Sequence, residues 1–122
     1  MRVLITGGAR GIGAACVRAF CRRGDSVAFI YRASEDAARA LSKETGAYAV
    51  RADISEEAQA VAAVSEAARL LGGLDVLVNN AGVAQIKLFT DLTNADWRHV
   101  MGTNLDGSFY VTREASRIMI AN

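Results

Sequence analysis

The chain has 122 residues, which is the size of one ordinary domain and excludes a two-domain architecture. Hydrophobic residues make up 52% and charged residues 22%, a balance that favours a buried core and excludes disorder as the main state. A net charge of +1 argues against a nucleic-acid partner, and no apolar run is long enough to cross a membrane. The two cysteines exclude a disulfide scaffold, so we expect a reducing, cytoplasmic location.

Four short apolar runs predict four β-strands. These runs show little of the alternation that is typical of half-exposed strands, so they are typical of a parallel sheet that is buried on both faces. The predicted strands are Val3–Ile5, Val27–Tyr31, Tyr48–Val50 and Asp75–Val78.

Segments with helical spacing separate these strands. The apolar face of the first predicted helix consists of Ile12, Cys16, Ala19 and Phe20. The weaker second helix has Ala37, Ala38 and Leu41, and the third has Val61, Val64, Ala68 and Leu71. Ser34 and Ser55 precede acidic residues, as helix N-caps do, and glycines stand where the helices should end.

A long helix from about Ala95 to Ile120 follows the fourth strand and a loop. Its start, Thr93-Asn94-Ala95-Asp96, fits a capping box. Strands that alternate with helices predict an α/β, Rossmann-type doubly wound parallel sheet, and right-handed crossovers give the strand order 3-2-1-4. We expect residues 1–122 to form a single, partial NAD(P)-binding domain, truncated after strand four and the long helix.

A glycine-rich loop, Thr6-Gly7-Gly8-Ala9-Arg10-Gly11-Ile12-Gly13, joins the first strand to the first helix. Glycine permits a positive φ and lets a pyrophosphate approach the backbone, and the free amides at the helix start attract that anion. A P-loop is excluded because Ala14-Ala15 stands where Lys and Ser or Thr are required, and the strict G-x-G-x-x-G pattern fits in no register. The pattern that fits is T-G-x-x-x-G-x-G.

Three further motifs follow the glycine loop. Asp53-Ile54 follows the third predicted strand, Asn79-Asn80-Ala81-Gly82 follows the fourth, and Asn104-Leu105-Asp106-Gly107 lies in the long helix. With these motifs, which match the family's acid after strand three, its N-N-A-G and its N-x-x-G, the whole chain resembles the classical short-chain dehydrogenases/reductases, and looks most like their 3-oxoacyl-carrier-protein reductase branch. The resemblance implies an oxidoreductase that moves hydride between a nicotinamide cofactor and a carbonyl or hydroxyl carbon.

The resemblance also implies roles for individual residues, each of which has a structural alternative. Asn79, Asn80 and Gly82 would brace the sheet and form the floor under the nicotinamide ribose, with Ala81 also binding the cofactor, or they form only a polar turn. Asp53 would contact the adenine ring, or it only caps the next helix. Asn104 would hold a water in a catalytic proton relay, or it is only a buried amide with satisfied hydrogen bonds. We predict no metal site.

The end of the second strand indicates the choice of cofactor. NAD enzymes carry an acid there that binds the ribose 2′-hydroxyl, but this chain has Tyr31 followed by Arg32. Arginine attracts the 2′-phosphate of NADP, and Arg10 in the glycine loop is a second cation placed to do so. We therefore predict NADPH as the cofactor, bound by the glycine loop and by residues 31 and 32.

The catalytic serine and the Y-x-x-x-K pair of this family are absent from residues 1–122. We therefore interpret the chain as the N-terminal part of a reductase, inactive alone, whose full-length form acts on a small-molecule or acyl-carrier-bound carbonyl compound. The family implies a homo-oligomer that forms through the long helix 95–120. Two alternatives stay open: a non-catalytic dinucleotide-binding module, and a methyltransferase, against which the N-N-A-G run and Arg32 argue.

Overall fold

The computed structural model describes residues 1–121. Its four strands form one parallel sheet in the order β3-β2-β1-β4, which confirms the predicted topology. The strands are β1 (Arg2–Thr6), β2 (Ser26–Tyr31), β3 (Tyr48–Arg51) and β4 (Val76–Val78). The helices are α1 (Gly11–Arg22), α2 (Glu35–Thr45), α3 (Glu57–Leu71), α4 (Asn94–Met101) and α5 (Ser108–Ala121). Within residues 1–121, no helix combines the length and apolarity that a membrane crossing requires.

Helices cover both faces of the sheet, so its central strands have no exposed side. Side chains alternate between the faces along a strand. In β1, Val3 and Ile5 therefore pack under α1 and α2, while Leu4 packs under α3 and α5. All three β1 side chains are fully buried. This two-sided burial explains why β1 and β2 are continuously apolar. The prediction of two-sided burial is wrong for β3, because this strand lies at the edge of the sheet and its Tyr48, Ala49 and Arg51 are exposed.

The buried face of α1 differs from the predicted one. Its buried residues are Gly13, Ala14 and Val17, whereas Ile12 is 76% exposed and Ala19 is also exposed. Cys16 and Phe20 are only half-buried at the margin of the core. Small residues let α1 approach the sheet closely. Gly13 and Ala14 therefore form the contact with the sheet that the sequence pattern assigned to Ile12.

The prediction that Ser34 and Ser55 cap helices through their side chains is wrong. Ser34 is the N-cap residue of α2 but makes no capping hydrogen bond. The N-cap of α3 is Glu56, and the Ser55 hydroxyl donates a hydrogen bond to Asp53 instead. The carboxylate accepts a stronger, charge-assisted hydrogen bond than a neutral oxygen would.

The predicted long helix contains a wider segment that the sequence did not reveal. Residues Gly102–Gly107 form a π-helix between α4 and α5, and the backbone at Gly102 stays helical with φ −58 and ψ −44. Gly107 packs directly on Ile54, and there is no room for a larger residue: a Cβ at position 107 would lie 2.8 Å from the Ile54 Cγ1. The π-helix therefore brings this part of the chain against the carboxyl end of β3.

The start of α4 carries the predicted capping box. The amide of Asp96 donates to the Thr93 Oγ1 at 3.1 Å, and the amide of Thr93 donates to the Asp96 Oδ2 at 3.0 Å. Lys87 also donates to the Asp96 Oδ2, at 2.8 Å. These partners favour the charged carboxylate, so they lower the pKa of Asp96 from 3.8 to about 2.

We expect the Asp96→Asn variant to be less stable than the parent at pH 6 and to differ less from it at pH 2. Because folding lowers the pKa of Asp96, the stabilisation that its charged carboxylate gives the folded state is complete above pH 3.8 and is lost as the pH falls toward about 2. Urea unfolding at a series of pH values measures the difference. Asp91→Asn is the matched control, because it removes the same charge from a side chain that makes no hydrogen bond within residues 1–121. A difference between Asp96→Asn and parent that stays constant with pH would contradict the assignment.

Candidate functional site

The end of β1 is joined to the loop that follows β4. The buried Thr6 hydroxyl oxygen accepts hydrogen bonds from the amides of Asn80 and Ala81, both at 3.0 Å. The Asn80 Nδ2 donates to the Gly7 carbonyl oxygen at 3.1 Å. Asn80 therefore holds the glycine loop and the loop after β4 in a fixed relation.

Close packing at the glycine loop explains two of its glycines. Gly7 has a φ of +65, and a Cβ there would lie 2.9 Å from the Ala81 Cα. A Cβ at Gly13, in the first turn of α1, would overlap the Gly7 carbonyl oxygen. Only glycine lets the start of α1, the end of β1 and the loop after β4 approach this closely.

The start of α1 is arranged to receive an anion. Its N-cap residue, Arg10, makes no side-chain capping bond, and its first turn contains no acidic residue. The first turns of α2, α3 and α4 all contain acids. Gly11 has a φ of +53, and nothing lies within 4 Å of the position that a Cβ would occupy. The partial positive charge of this helix end therefore faces open space beside the glycine loop.

Two adjoining pockets lie at the carboxyl ends of the strands and share Gly7, Tyr31, Arg32 and Val83. We call them the inner and the outer pocket. The inner pocket is also lined by Ile30, Ala52, Asp53, Ile54, Ala81, Gly82 and Thr103. The outer pocket is also lined by Ala9, Arg10, Ala33 and Ser34. Ligands of open parallel sheets bind at this edge.

Charge is divided between the two pockets. Arg10 and Arg32 both line the outer pocket, together with Ser34. Asp53 lines the inner pocket, and its Oδ2 lies 3.6 Å from the Arg32 Nε. The hydroxyl of Ser55 donates to the Asp53 Oδ1 at 2.7 Å and is the largest cause of the lowered pKa of Asp53. The site thus offers the Arg10 guanidinium in the outer pocket, the Asp53 carboxylate in the inner pocket, and Arg32 where the two pockets adjoin.

Asn104, in the π-helix, bonds to the loop after β4. Its Oδ1 accepts from the Val83 amide at 2.8 Å, and its Nδ2 donates to the Val83 carbonyl oxygen at 2.9 Å. The residue is exposed, so the alternative of a buried amide is wrong, although both of its polar atoms have partners. These bonds fix the wall that Gly82 and Val83 give the inner pocket. The catalytic role that the resemblance implies for Asn104 stays a prediction.

The structure brings most of the predicted site residues together, in three different positions. Gly7, Tyr31, Arg32, Asp53, Ile54, Ala81 and Gly82 line the inner pocket, and Arg10 lines the outer one. Thr6, Gly13 and Asn80 lie behind the lining as a framework. Gly11 and Ile12 stand at the exposed start of α1 and line neither pocket. Within residues 1–121, no cluster of His, Cys, Asp or Glu could hold a metal ion.

Sequence reasoning missed Ser34, Val83 and Thr103 as lining residues. The sequence predicts Ser34 only as a helix cap, although it lies two residues after Arg32, which lines the same pocket. Val83 directly follows the N-N-A-G motif, and its position after β4 could have indicated it. No sequence signal indicated Thr103, since it reaches the pocket through the π-helix.

The family model for short chain dehydrogenases matches residues 1–122. The chain belongs to the short-chain dehydrogenase family. The acetoacetyl-CoA reductase of Paracoccus denitrificans is 39% identical over 89% of this chain and 45% of its own length. The 3-oxoacyl-acyl-carrier-protein reductase of Aquifex aeolicus is 36% identical over 96% of the chain and 49% of its own length.

A further relative is named for the ligand that it binds rather than for a reaction, and a solved structure has the same fold. The cyclic-di-GMP-binding biofilm dispersal mediator protein of Escherichia coli (strain K12) is 41% identical over 96% of the chain and 48% of its own length. A short-chain dehydrogenase from Burkholderia cenocepacia, solved in complex with NADP, matches with a TM-score of 0.91 and 34% identity, over 97% of this chain and 50% of that one. The chain therefore spans about half the length of the relatives that it matches.

We expect Gly13→Ala to destabilise the fold, because its Cβ would overlap the Gly7 carbonyl oxygen and force α1 away from β1. Overpacking of this kind costs about 1–3 kcal/mol. The measurement is the free energy of unfolding in urea. Gly102→Ala is the matched control, since its Cβ would meet only an ordinary contact, 3.6 Å from the Ser55 Cβ. Equal stability of the two variants would show that the close approach at Gly13 is not required.

Proposed function

We propose that residues 1–122 are the cofactor-binding part of an NADP-dependent oxidoreductase, and that they form a single Rossmann-type domain. The observation that carries this proposal is the convergence of Arg10 and Arg32 on one pocket at the carboxyl end of the sheet. Two guanidinium groups suit a phosphate, and the residue at the end of β2 is Tyr31 rather than the acid that would repel it. Relatives in the same family have been solved with NADP or NADPH bound.

The residues present fit that cofactor. The uncapped, acid-free start of α1 at Gly11–Gly13 would hold the pyrophosphate, and the inner pocket beside Asp53 and Ile54 would hold the adenine. Arg10 and Arg32, with Ser34 beside them, would hold the 2′-phosphate. When bound, NADPH supplies the hydride that reduces a carbonyl carbon.

The chain's own residues would orient the cofactor, and Asn104 would in addition hold a water in the proton relay that the family resemblance implies. Asn80 fixes the loop after β4 against Gly7, and Asn104 fixes Val83 from the other side. Gly82 lies between these two fixed points, under the place proposed for the nicotinamide ribose. A rigid floor of this kind keeps the reacting carbon in one orientation.

We infer a 3-oxoacyl thioester as the substrate class of the whole protein. Support comes from the acetoacetyl-CoA reductases and the 3-oxoacyl-acyl-carrier-protein reductase among the relatives. We also propose a homo-oligomer through residues 95–120. In this segment Trp97, Leu105 and Phe109 are 58%, 61% and 56% exposed, which is typical of an apolar surface that a partner covers.

A second candidate is a binding module without catalysis. The relative from Escherichia coli named for binding cyclic-di-GMP favours it, because that protein's name describes a bound dinucleotide rather than a reaction. The two candidates differ in one assay. An oxidoreductase consumes NADPH in the presence of acetoacetyl-CoA, whereas a binding module binds its ligand with no turnover.

We expect the protein that contains this chain to bind NADPH better than NADH, and the Tyr31→Asp, Arg32→Ala double variant to shift the preference toward NADH. Hydrogen bonds to a charged group contribute about 1.5–3 kcal/mol, or roughly ten- to 150-fold in affinity. The introduced acid would bond the free 2′-hydroxyl and repel the phosphate. Dissociation constants of both cofactors, measured for parent and variant, test this. The assignment of residues 31 and 32 is wrong if the ratio of the two constants does not change.

We expect residues 1–122 alone to reduce no acetoacetyl-CoA at saturating NADPH. The three tyrosines of the chain are Tyr31, Tyr48 and Tyr110, and none has the lysine four residues later that the family's Y-x-x-x-K pair requires. The measurement is the loss of NADPH absorbance with and without the thioester. Turnover that depends on both the thioester and this purified chain would contradict the expectation.

A further inference from the structure

The two carboxylate oxygens of Asp53 have different partners. Its Oδ1 accepts from the Ser55 amide at 3.1 Å and from the Ser55 hydroxyl at 2.7 Å. Its Oδ2 faces the guanidinium of Arg32, with 3.6 Å between the Oδ2 and the Arg32 Nε. The side chain of Asp53 is only 25% exposed. Ser55 therefore fixes the orientation in which the carboxylate presents its second oxygen to Arg32.

Arg32 is held from two directions. Its carbonyl oxygen accepts a hydrogen bond from the Arg51 Nε at 3.2 Å, which ties the end of β2 to the end of β3. Its side chain is 57% exposed and has Asp53 as its ion-pair partner. Within residues 1–121 the guanidinium donates no hydrogen bond, so its terminal nitrogens are available to a ligand of the outer pocket.

We propose that Asp53 is a positioning residue for Arg32, and that it thereby increases the preference of the site for NADPH over NADH. The inference rests on the proposed function, because it requires Arg32 to bind the 2′-phosphate. It gives Asp53 a role beyond a contact with adenine. An adenine contact is the same for both cofactors, whereas an effect exerted through Arg32 acts only on the cofactor that has the phosphate.

The geometry favours positioning over competition between Asp53 and the phosphate for the same arginine. The Asp53 carboxylate approaches the Nε of Arg32, whereas the two terminal nitrogens of the Arg32 guanidinium can donate hydrogen bonds to a bound anion. A long, exposed arginine side chain loses much rotamer freedom when it binds a phosphate, and an ion pair that already restricts the side chain reduces that loss. The hydrogen bonds from Ser55, aided by the positive charge of Arg32, lower the pKa of Asp53 and so favour its charged carboxylate.

The test is a double-mutant cycle on the protein that contains this chain. The four proteins are the parent, Asp53→Asn, Arg32→Ala and the double variant, and the readout is the ratio of the dissociation constants of NADH and NADPH. We expect Asp53→Asn to lower the preference for NADPH about two- to five-fold, the range of a partly exposed ion pair. In the Arg32→Ala background the same substitution should leave the ratio unchanged.

Two further variants separate this role from a general loss of structure or charge. Ser55→Ala removes the hydroxyl that orients Asp53, so we expect it to lower the ratio in the same direction but by less. Asp36→Asn is the matched control, because it removes one negative charge at the same end of the sheet from a side chain without a hydrogen bond or ion pair in residues 1–121. It should leave the ratio unchanged.

Each result decides the question. If Asp53→Asn weakens both cofactors equally, Asp53 contacts only adenine and the proposal is wrong. If it raises the preference for NADPH, the carboxylate competes with the phosphate and the proposal is also wrong. If Arg32→Ala does not lower the ratio, the proposed phosphate site itself fails and this inference fails with it. That outcome differs from a failure of Asp53 alone.

Discussion

The close approach of α1 to the end of β1 is the constraint on which the site depends. Gly13 packs against the Gly7 carbonyl oxygen, and the Asn80 amide group donates to the same oxygen. The buried Thr6 hydroxyl accepts hydrogen bonds from the amides of Asn80 and Ala81 in the loop after β4. Three chain segments thus meet at one point. At Gly7 and Gly13, any side chain larger than a hydrogen atom would push these segments apart. The open start of α1 and the floor of the inner pocket both follow from this junction.

Electrostatics then divides the site into two parts. The outer pocket has Arg10 and Arg32, and the inner pocket has Asp53, whose negative charge is stabilised by the Ser55 hydroxyl. Such an arrangement suits a ligand with a phosphate at one end and hydrogen-bond donors at the other. Arg32 and Asp53 lie 3.6 Å apart, so the two parts adjoin at this ion pair.

The π-helix between α4 and α5 completes the site from the opposite side. It packs Gly107 on Ile54, brings the buried Thr103 to the inner pocket, and lets Asn104 bond to both backbone groups of Val83. A regular α-helix has a narrower turn and would present these residues in different directions. π-Helical turns are rare in proteins, and those that occur are often found at functional sites. This one links the long helical segment to the wall of the pocket.

By itself, the sequence determined the strand order, the glycine loop and the positions of most pocket residues. Continuous apolar strands and short-range motifs encode these features locally, and residues such as Gly7, Arg32 and Asp53 follow strands whose ends must meet at one edge of a parallel sheet. Other features depended on contacts between distant segments, and only the tertiary structure decided them. Gly13 rather than Ile12 faces the core because α1 packs against the Gly7 carbonyl, and Ser55 bonds Asp53 instead of capping α3 because the carboxylate lies within its reach. The place of Thr103 in the pocket, likewise, follows from a π-helical segment that the prediction of one regular long helix did not include.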